Sequence, residues 1–231
     1  MSLLEVDSID TYYGQSQALA DVSLRVERGE VVALLGRNGA GKTTTIRSIL
    51  GINPPRKGTV RYDEEDITGM EPYEIAQRGL GYIPEHREVW GDLTVEENLR
   101  VPAGKGGDRT IQDVYNIFPT LAELSASDAR NLSGGEKQML AIGRGILGGT
   151  ELLLMDEASE GLAPSIVRDV RDAIHELKSD MTILMIEQNT EMALQAADRV
   201  YILENGSIGY EGDVTEVRDN EEILREKISV N

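Results

Sequence analysis

The stretch "VVALLGRNGAGKTTTIRSIL", residues 31–50, decides the fold class, because it predicts a buried strand, a glycine-rich turn and a helix in succession. Its first residues are continuously apolar, which is typical of a parallel strand covered on both faces. The stretch from Lys42 onward predicts a helix that ends at Gly51. The turn between them, "GRNGAGKT" at 36–43, fits the pattern G-x-x-x-x-G-K-[ST].

That pattern predicts a phosphate-binding loop, since its glycines let backbone N–H groups turn inward around phosphate oxygens at a helix N-terminus. We expect Lys42 to reach the β- and γ-phosphates of a nucleotide and the Thr43 hydroxyl to bind Mg²⁺. A chance glycine-rich turn is the alternative, but the strand before the loop and the helix after it both match the motif. The predicted nucleotide-binding residues of the loop are Gly36, Arg37, Asn38, Gly39, Ala40, Gly41, Lys42, Thr43 and Thr44.

A second motif, "LLLMDEAS" at 152–159, places two carboxylates at the end of an apolar strand. Open α/β sheets have their ligand crevice at the carboxyl ends of the strands. We therefore expect Asp156 to hold Mg²⁺ and Glu157 to polarise the water that attacks a γ-phosphate. A solvated acidic turn is the alternative, and the nearby phosphate loop favours the functional interpretation.

Strand and helix patterns alternate through most of the chain, which predicts an α/β fold on a mostly parallel sheet. A hairpin is predicted to turn at Asn205-Gly206. Residues 87–145 differ, because they carry helix signals and few strand signals. We expect a single domain over 1–231, with an α/β core from 1–86 and 146–231 and a helical subdomain from 87–145.

Three further stretches of the sequence predict local structure. Thr94 and Glu97 have the spacing of a capping box, which predicts the start of a helix. The stretch "PAGKGGDRT" at 102–110 predicts a flexible glycine-rich loop. The stretch "EVRDNEEILREKI" at 216–228 predicts a polar helix near the C-terminus.

Composition excludes several classes of function. The chain has 41 acidic against 23 basic residues and a net charge of −18, so it repels phosphate backbones and we expect no nucleic-acid partner. It has no cysteine, which excludes disulfides and thiolate metal sites. Its two histidines, His86 and His175, are too few for a histidine metal cluster. We find neither a signal peptide nor a membrane-spanning run, and expect a soluble cytoplasmic chain that reaches a membrane through partners.

A third motif, "NLSGGEKQMLAIGRGIL" at 131–147, has a glycine pair at the predicted start of a helix. Ser133 and Glu136 form a capping-box pattern, so an ordinary helix start is one interpretation. Glycine is unfavourable in a first helical turn, however. The pair therefore indicates a close backbone approach, and a helix N-terminus favours an anion.

The sequence "LSGGEKQ" within this motif closely resembles the signature of ABC-type ATPases. As in that family, it lies between the phosphate loop and the acidic strand, and the resemblance covers nearly the whole chain. It implies a P-loop NTPase-type core with an antiparallel β subdomain and a helical insertion. It also implies a head-to-tail dimer in which the signature residues of one chain contact ATP bound by the other. Those residues are Ser133, Gly134, Gly135 and Glu136.

The same resemblance implies roles for three further residues. Tyr13 is similar to the aromatic residue that stacks on adenine, although a surface tyrosine is the alternative. Glu85 lies in the loop that links the nucleotide to the transmembrane subunit, where most members have glutamine. Gln188 stands where most members have a histidine that contacts the γ-phosphate, and we expect it to act with Glu157 in catalysis. Ala158 and Ala163 replace a proline and an aspartate that are usual in the family.

The stretches "PE", "EQN" and "GLAP" together resemble the second ATPase subunit of branched-chain amino acid importers and its urea or amide relatives. This implies a motor subunit that hydrolyses ATP with Mg²⁺ on the inner face of the cell membrane. Its partners would be a second ATPase chain, alike or different, the transmembrane permease and, indirectly, a solute-binding protein. A catalytically silent or regulatory subunit and a non-transport ABC ATPase are the alternatives.

Overall fold

The structure is a computed structural model that describes residues 1–103 and 107–220, and it contains two β-sheets with helices around them. The strands are β1 (Ser2–Tyr13), β2 (Ser16–Glu27), β3 (Val31–Gly36), β4 (Lys57–Tyr62), β5 (Glu65–Asp66), β6 (Leu80–Ile83), β7 (Leu152–Asp156), β8 (Thr182–Glu187), β9 (Arg199–Glu204) and β10 (Ser207–Asp213). The α-helices are α1 (Lys42–Ile49), α2 (Pro72–Gln77), α3 (Val95–Arg100), α4 (Ile111–Ile117), α5 (Pro119–Glu123), α6 (Gly134–Ile146), α7 (Pro164–Leu177), α8 (Thr190–Ala196) and α9 (Val214–Asp219).

The larger sheet has six strands in the order β10-β9-β3-β8-β7-β6, and all its pairings are parallel except β9 with β10. The predicted α/β class with a mostly parallel sheet is therefore confirmed. β3 is buried along its whole length because apolar clusters cover both faces of the sheet. The predicted hairpin also forms, with Asn205 and Gly206 both at positive φ.

The smaller sheet is antiparallel and has the order β2-β1-β4-β5. Side chains on its inner face share one apolar cluster with residues of the six-stranded sheet, such as Leu34 and Leu184. The opposite face of the six-stranded sheet packs against the helices through a second cluster, which includes Leu35 and Ile183. Successive residues of β3 thus point to opposite clusters, as the period of a strand requires. Packing between these layers places the carboxyl ends of β3, β7 and β8 at the same edge of the six-stranded sheet.

Helices α3 to α6 occupy most of the middle of the chain. The capping boxes predicted at Thr94 and Ser133 are present, and a third lies at Thr110. Helices α4 and α5 are separate because Phe118 leaves the helical conformation before Pro119. The division of the chain into a core and a helical subdomain stays a prediction.

Two predicted segments fall partly outside the described residues: residues 104–106 of the glycine-rich loop and 221–228 of the C-terminal helix. The described part of that helix, α9, begins before the predicted start because Asp213 caps it, accepting a hydrogen bond from the backbone N–H of Thr215. Within 1–103 and 107–220, each helix is too short or too polar to cross a bilayer.

Gly51 and Gly69 offer a matched test of how the turns around α1 and α2 constrain the backbone. Both have φ near +70°, but a Cβ on Gly51 would lie 2.1 Å from the Met70 carbonyl oxygen, whereas a Cβ on Gly69 would meet no atom within 4 Å. We expect Gly69→Ala to cost about 1 kcal/mol of unfolding free energy from left-handed strain alone. Gly51→Ala should cost about 1–3 kcal/mol more, because backbone must move. Urea unfolding followed by circular dichroism measures both, and equal losses would contradict the structure.

Candidate functional site

The loop between β3 and α1 is built for close backbone approach. Gly39 and Gly41 have φ of +80° and +112°, which side chains rarely adopt. A Cβ on Gly36 would lie 2.6 Å from the Leu203 carbonyl oxygen, and one on Gly41 would lie 2.7 Å from the Leu19 side chain. No side chain caps the start of α1. The first N–H groups of the helix therefore face a position suited to an anion.

Lys42 is almost fully buried and its ammonium group is held inside the site. Its Nζ donates to the Gly36 carbonyl oxygen at 2.9 Å and lies 3.2 Å from Glu157 Oε1. A buried cation needs partners of this kind, because burial without them is costly. The ammonium group thus already faces the end of β7, where the carboxylates lie.

Asp156 ends β7 beside the first turn of α1. Thr43 Oγ1 donates to Asp156 Oδ1 at 3.4 Å, and the Tyr82 hydroxyl donates to Asp156 Oδ2 at 3.3 Å. Burial, together with the neighbouring charge of Glu157, raises the pKa of the Asp156 carboxyl to about 6. A buried carboxylate beside a hydroxyl is a donor set that suits Mg²⁺, which prefers oxygen ligands.

Glu157, the next residue, has a positive φ of 48°. Its carboxylate accepts two hydrogen bonds from Gln188 Nε2, at 3.0 Å and 2.9 Å, besides the contact with Lys42. The predicted base and the predicted phosphate-contacting amide are therefore direct neighbours. A phosphate bound at the loop would compete with Glu157 for both Lys42 and Gln188.

One cleft of about 660 Å³ brings most of the predicted residues together. Tyr13 lies at its rim and is 47% exposed. Predicted residues lining the cleft are Tyr13, Asn38, Gly39, Gly41, Lys42, Thr43, Thr44, Glu85, Glu157 and Gln188. Gly36, Arg37 and Ala40 belong to the loop without lining the cleft, and Asp156 faces the adjoining groove described below.

The residues resembling a signature, Ser133, Gly134, Gly135 and Glu136, do not line this cleft. Ser133 and Glu136 form a reciprocal capping box, with hydrogen bonds of 3.3 Å and 2.7 Å. A Cβ on Gly135 would lie 2.8 Å from the Ile166 side chain in α7. Helix packing within the chain is thus one reason for that glycine. Gly134 is exposed, and its nearest neighbour is the flexible end of Arg87.

Three residues around the site, Glu160, Asn205 and Glu187, were not among the predicted site residues. Glu160 lies close enough to Glu85 and Glu157 for their carboxylates to share a cation, and a hydrogen bond with Glu157 raises the pKa of Glu160. The turn at Asn205 also lines the cleft. Glu187 is buried at the end of β8, and a charged residue closing the apolar run "TILMI" was the signal that could have revealed it.

Comparisons with known proteins agree with this geometry. A protein family described as "ABC transporter" matches residues 19–160. The chain is 42% identical over 215 residues to the high-affinity branched-chain amino acid transport ATP-binding protein BraG of Pseudomonas aeruginosa, covering 89% of this chain and 91% of that protein. It is 31% identical to the probable branched-chain amino acid transport ATP-binding protein LivF of Archaeoglobus fulgidus, covering 95% of each.

Among solved structures, the chain resembles the ADP conformation of MJ1267, an ATP-binding cassette of an ABC transporter. The TM-score is 0.82 at 28% identity, and the similarity covers 97% of this chain and 98% of that one.

Because the pKa of Asp156 is raised, we expect its negative charge to lower the free energy of unfolding of the nucleotide-free protein in a pH-dependent way. Because the pKa in the folded state lies above the ordinary 3.8, stability present at low pH is lost as pH rises toward 6. Asp156→Asn removes the charge, so we expect it to stabilise the metal-free protein at pH 8 by about 1–2 kcal/mol, or about 2–8 °C. Thermal unfolding in a chelator measures the change.

Two controls accompany this measurement. The gain should vanish near pH 4, where the native carboxyl is neutral, and the exposed Asp92→Asn should change stability by less than about 0.5 kcal/mol at either pH. A gain of equal size at pH 4 and pH 8 would show that burial of the charge is not the cause.

Proposed function

The chain belongs to the ABC transporter family of ATP-binding proteins, whose members are ATPases that drive transport, and we propose that it powers an importer of branched-chain amino acids. The main support for ATP hydrolysis at this site is the contact of Glu157 with both Lys42 and Gln188 beside the phosphate loop. The solute class rests on the likeness to BraG and LivF.

In this proposal the triphosphate of ATP lies on the loop from Gly36 to Thr44, with the adenine against Tyr13. Lys42 contacts the β- and γ-phosphates, and the N-terminus of α1 adds a favourable dipole. Thr43 and Asp156 would hold Mg²⁺, which when bound neutralises charge on the phosphate oxygens. Glu85 reaches the same cleft from the loop after β6.

Binding of the γ-phosphate would change the partners of Glu157. Lys42 and Gln188 now donate to its carboxylate, and both would turn to the phosphate oxygens, which carry more charge. The carboxylate is then free to accept a hydrogen bond from the attacking water and to orient it. Gln188 can donate a hydrogen bond to phosphate but carries no charge, so positioning is its contribution.

The signature residues require a second chain in this proposal. Since Ser133, Gly134, Gly135 and Glu136 stand apart from the chain's own cleft, we propose that they contact ATP held by a partner ATPase subunit. ATP would then contact both chains and favour the closed dimer, and hydrolysis would remove contacts and let it open. The partner is a second copy or a related chain.

A permease subunit would couple this cycle to transport. A groove of about 940 Å³ runs from Asp156 and Tyr82 to Trp90 and Arg144, and we propose that the permease docks there. The chain would then lie on the inner face of the cell membrane and meet a solute-binding protein only indirectly. Import of urea or an amide and a non-transport role are the alternatives. Identifying the proteins that co-purify, followed by uptake of labelled solutes, separates these three.

Replacing the proposed base tests the reaction. We expect Glu157→Gln in the assembled transporter to lower kcat by at least about 100-fold while ATP affinity stays within about 3-fold, because the amide cannot accept a proton. Gel filtration with light scattering should show an ATP-stabilised dimer. As the matched control, Lys42→Ala should weaken ATP binding itself. Turnover near the native level in Glu157→Gln would rule out this residue as the base.

Replacing the exposed Ser133 tests whether the signature residues contact ATP across the interface between two chains, here called the seam. We expect Ser133→Arg to lower turnover by at least about half if one seam is affected, and nearly to abolish it in a homodimer. The chain's own ATP affinity should persist. Gly135 is unsuitable for this test, because a side chain there would collide with Ile166.

Thr110→Arg is the matched control for the lost helix cap. Thr110 is also an exposed N-cap residue in a capping box, and its loss should likewise cost about 1 kcal/mol of stability. Turnover should nevertheless stay within about 2-fold of the native level, since Thr110 is outside the seam. If both arginine variants lose turnover equally, cap loss explains the effect and the proposed seam is wrong.

A further inference from the structure

Glu187 closes β8 and is only 1% exposed. Its carboxylate accepts a hydrogen bond from the Ser159 hydroxyl at 2.7 Å and another from the Ser159 backbone N–H at 3.1 Å. A further bond from the Asn189 backbone N–H reaches the same group. Neither Glu187 nor Ser159 lines the nucleotide cleft. This pair is therefore close to the proposed chemistry without touching a bound nucleotide.

Ser159 belongs to the turn that carries Glu157. The backbone N–H of Glu157 donates to the Ile186 carbonyl oxygen at 2.9 Å, which ties the start of the turn to β8. Glu157 nevertheless has a left-handed φ of 48°, which costs a residue with a side chain about 1–2 kcal/mol. Such a conformation persists only where surrounding contacts hold it. The bonds from Ser159 to Glu187 supply a second tie two residues further along.

Packing alone leaves this turn room to move. A cavity of about 660 Å³ lies between the turn, α7 and the start of α8, and both Ser159 and Glu187 line it. A side chain beside such a space can shift without a steric collision. Ala158 packs into the apolar core on the other side of the turn, and the hydrogen bonds to Glu187 hold the side that faces the cavity.

We propose that Glu187 and Ser159 are a positioning pair that fixes the turn carrying Glu157 relative to the strand end carrying Gln188. Glu187 is covalently adjacent to Gln188 on one side and hydrogen-bonded to Ser159 on the other. The inference rests on the proposed function, in which Glu157 is the base and Gln188 contacts the phosphate. It adds two residues that act through those groups and to which the sequence motifs described above assigned no role.

The chemistry of the pair suits this role. A bond of 2.7 Å from a hydroxyl to a carboxylate is of the short, charge-assisted kind, and burial shields it from competing water. Burial raises the pKa of Glu187 to about 7, and the two bonds from Ser159 oppose that rise. The bonds from Ser159 therefore favour the charged carboxylate, and the carboxylate holds Ser159 in place.

A purely structural role makes a different prediction. A buried polar pair that only stabilises the fold would change unfolding free energy when broken but leave the chemical step unchanged below the unfolding temperature. A positioning pair changes kcat at constant nucleotide affinity, since a misplacement of about 1 Å can cost about 100-fold. The two roles therefore separate in a comparison of kcat with ATP affinity.

The test compares Ser159→Ala, which removes the hydroxyl, with Ser159→Thr, which keeps it, in the chain assembled with its partners. We expect Ser159→Ala to lower kcat by about 10- to 100-fold with ATP affinity within about 2-fold. Ser159→Thr should have a kcat within about 3-fold of the native value. Glu187→Gln should fall between them because it keeps one acceptor oxygen. All assays are made at least 10 °C below the measured unfolding midpoint of each variant, about the margin that keeps them folded.

Thr182→Val is the matched control, because Thr182 is a buried hydroxyl at the opposite end of the same strand, where it accepts a bond from the Gly29 backbone N–H at 3.0 Å. It should lose stability but keep native kcat. The proposal is overturned if Ser159→Ala keeps native kcat, if its ATP affinity falls by the same factor as kcat, or if Thr182→Val loses kcat equally. Glu157→Gln, assayed alongside, separates the positioning pair from the proposed function. If Glu157→Gln keeps its turnover, Glu157 is not the base. If Glu157→Gln loses turnover but Ser159→Ala keeps the native kcat, only the positioning pair is wrong.

Discussion

The whole site depends on the parallel pairing of β3, β7 and β8. In this register Leu35 lies opposite Glu187 and Asp156 lies opposite Ile186, so the three strands end at one edge of the sheet. Parallel strands present their C-terminal ends together, and the segments that follow them carry the functional groups. A slip of one residue in any of these strands would turn the carboxylates toward the opposite face.

The buried charges at this edge of the sheet are unbalanced in the folded chain. Lys42 is the only buried lysine or arginine in the part of the chain that the structure describes, and three buried carboxylates accompany it, those of Asp156, Glu157 and Glu187. The pKa of Asp156 and that of Glu187 are both raised by burial, so their charges are costly in this conformation. A divalent cation would relieve the first of them. A cation that bound only the native state would therefore stabilise it.

Local sequence predicted those parts of the site that depend on neighbours along the chain. The phosphate loop, the caps at Thr94 and Ser133 and the hairpin at Asn205 each follow from residues within one short stretch. The bond from Tyr82 to Asp156 could not be predicted, because it joins strands separated by many residues. The pattern also could not assign Gly135, since a close approach to Ile166 and a close approach to an anion demand the same residue type. Tertiary contacts decide between such interpretations.

The segment from Glu85 to Trp90 contacts both the nucleotide cleft and helix α6, which are formed by different parts of the sequence. Glu85 lines the nucleotide cleft, and the Arg87 guanidinium donates to the carbonyl oxygen of Glu160, in the turn that carries the proposed base. Arg144, in helix α6, donates to the Glu88 carbonyl oxygen at 2.6 Å and stacks over the Trp90 ring at 3.7 Å. Contiguous contacts of this kind are a physical basis for coupling only if the segment has two arrangements. Within this segment Glu85 lines the nucleotide cleft, so a second arrangement set by a bound phosphate would begin there and reach α6 through Arg87 and Glu88.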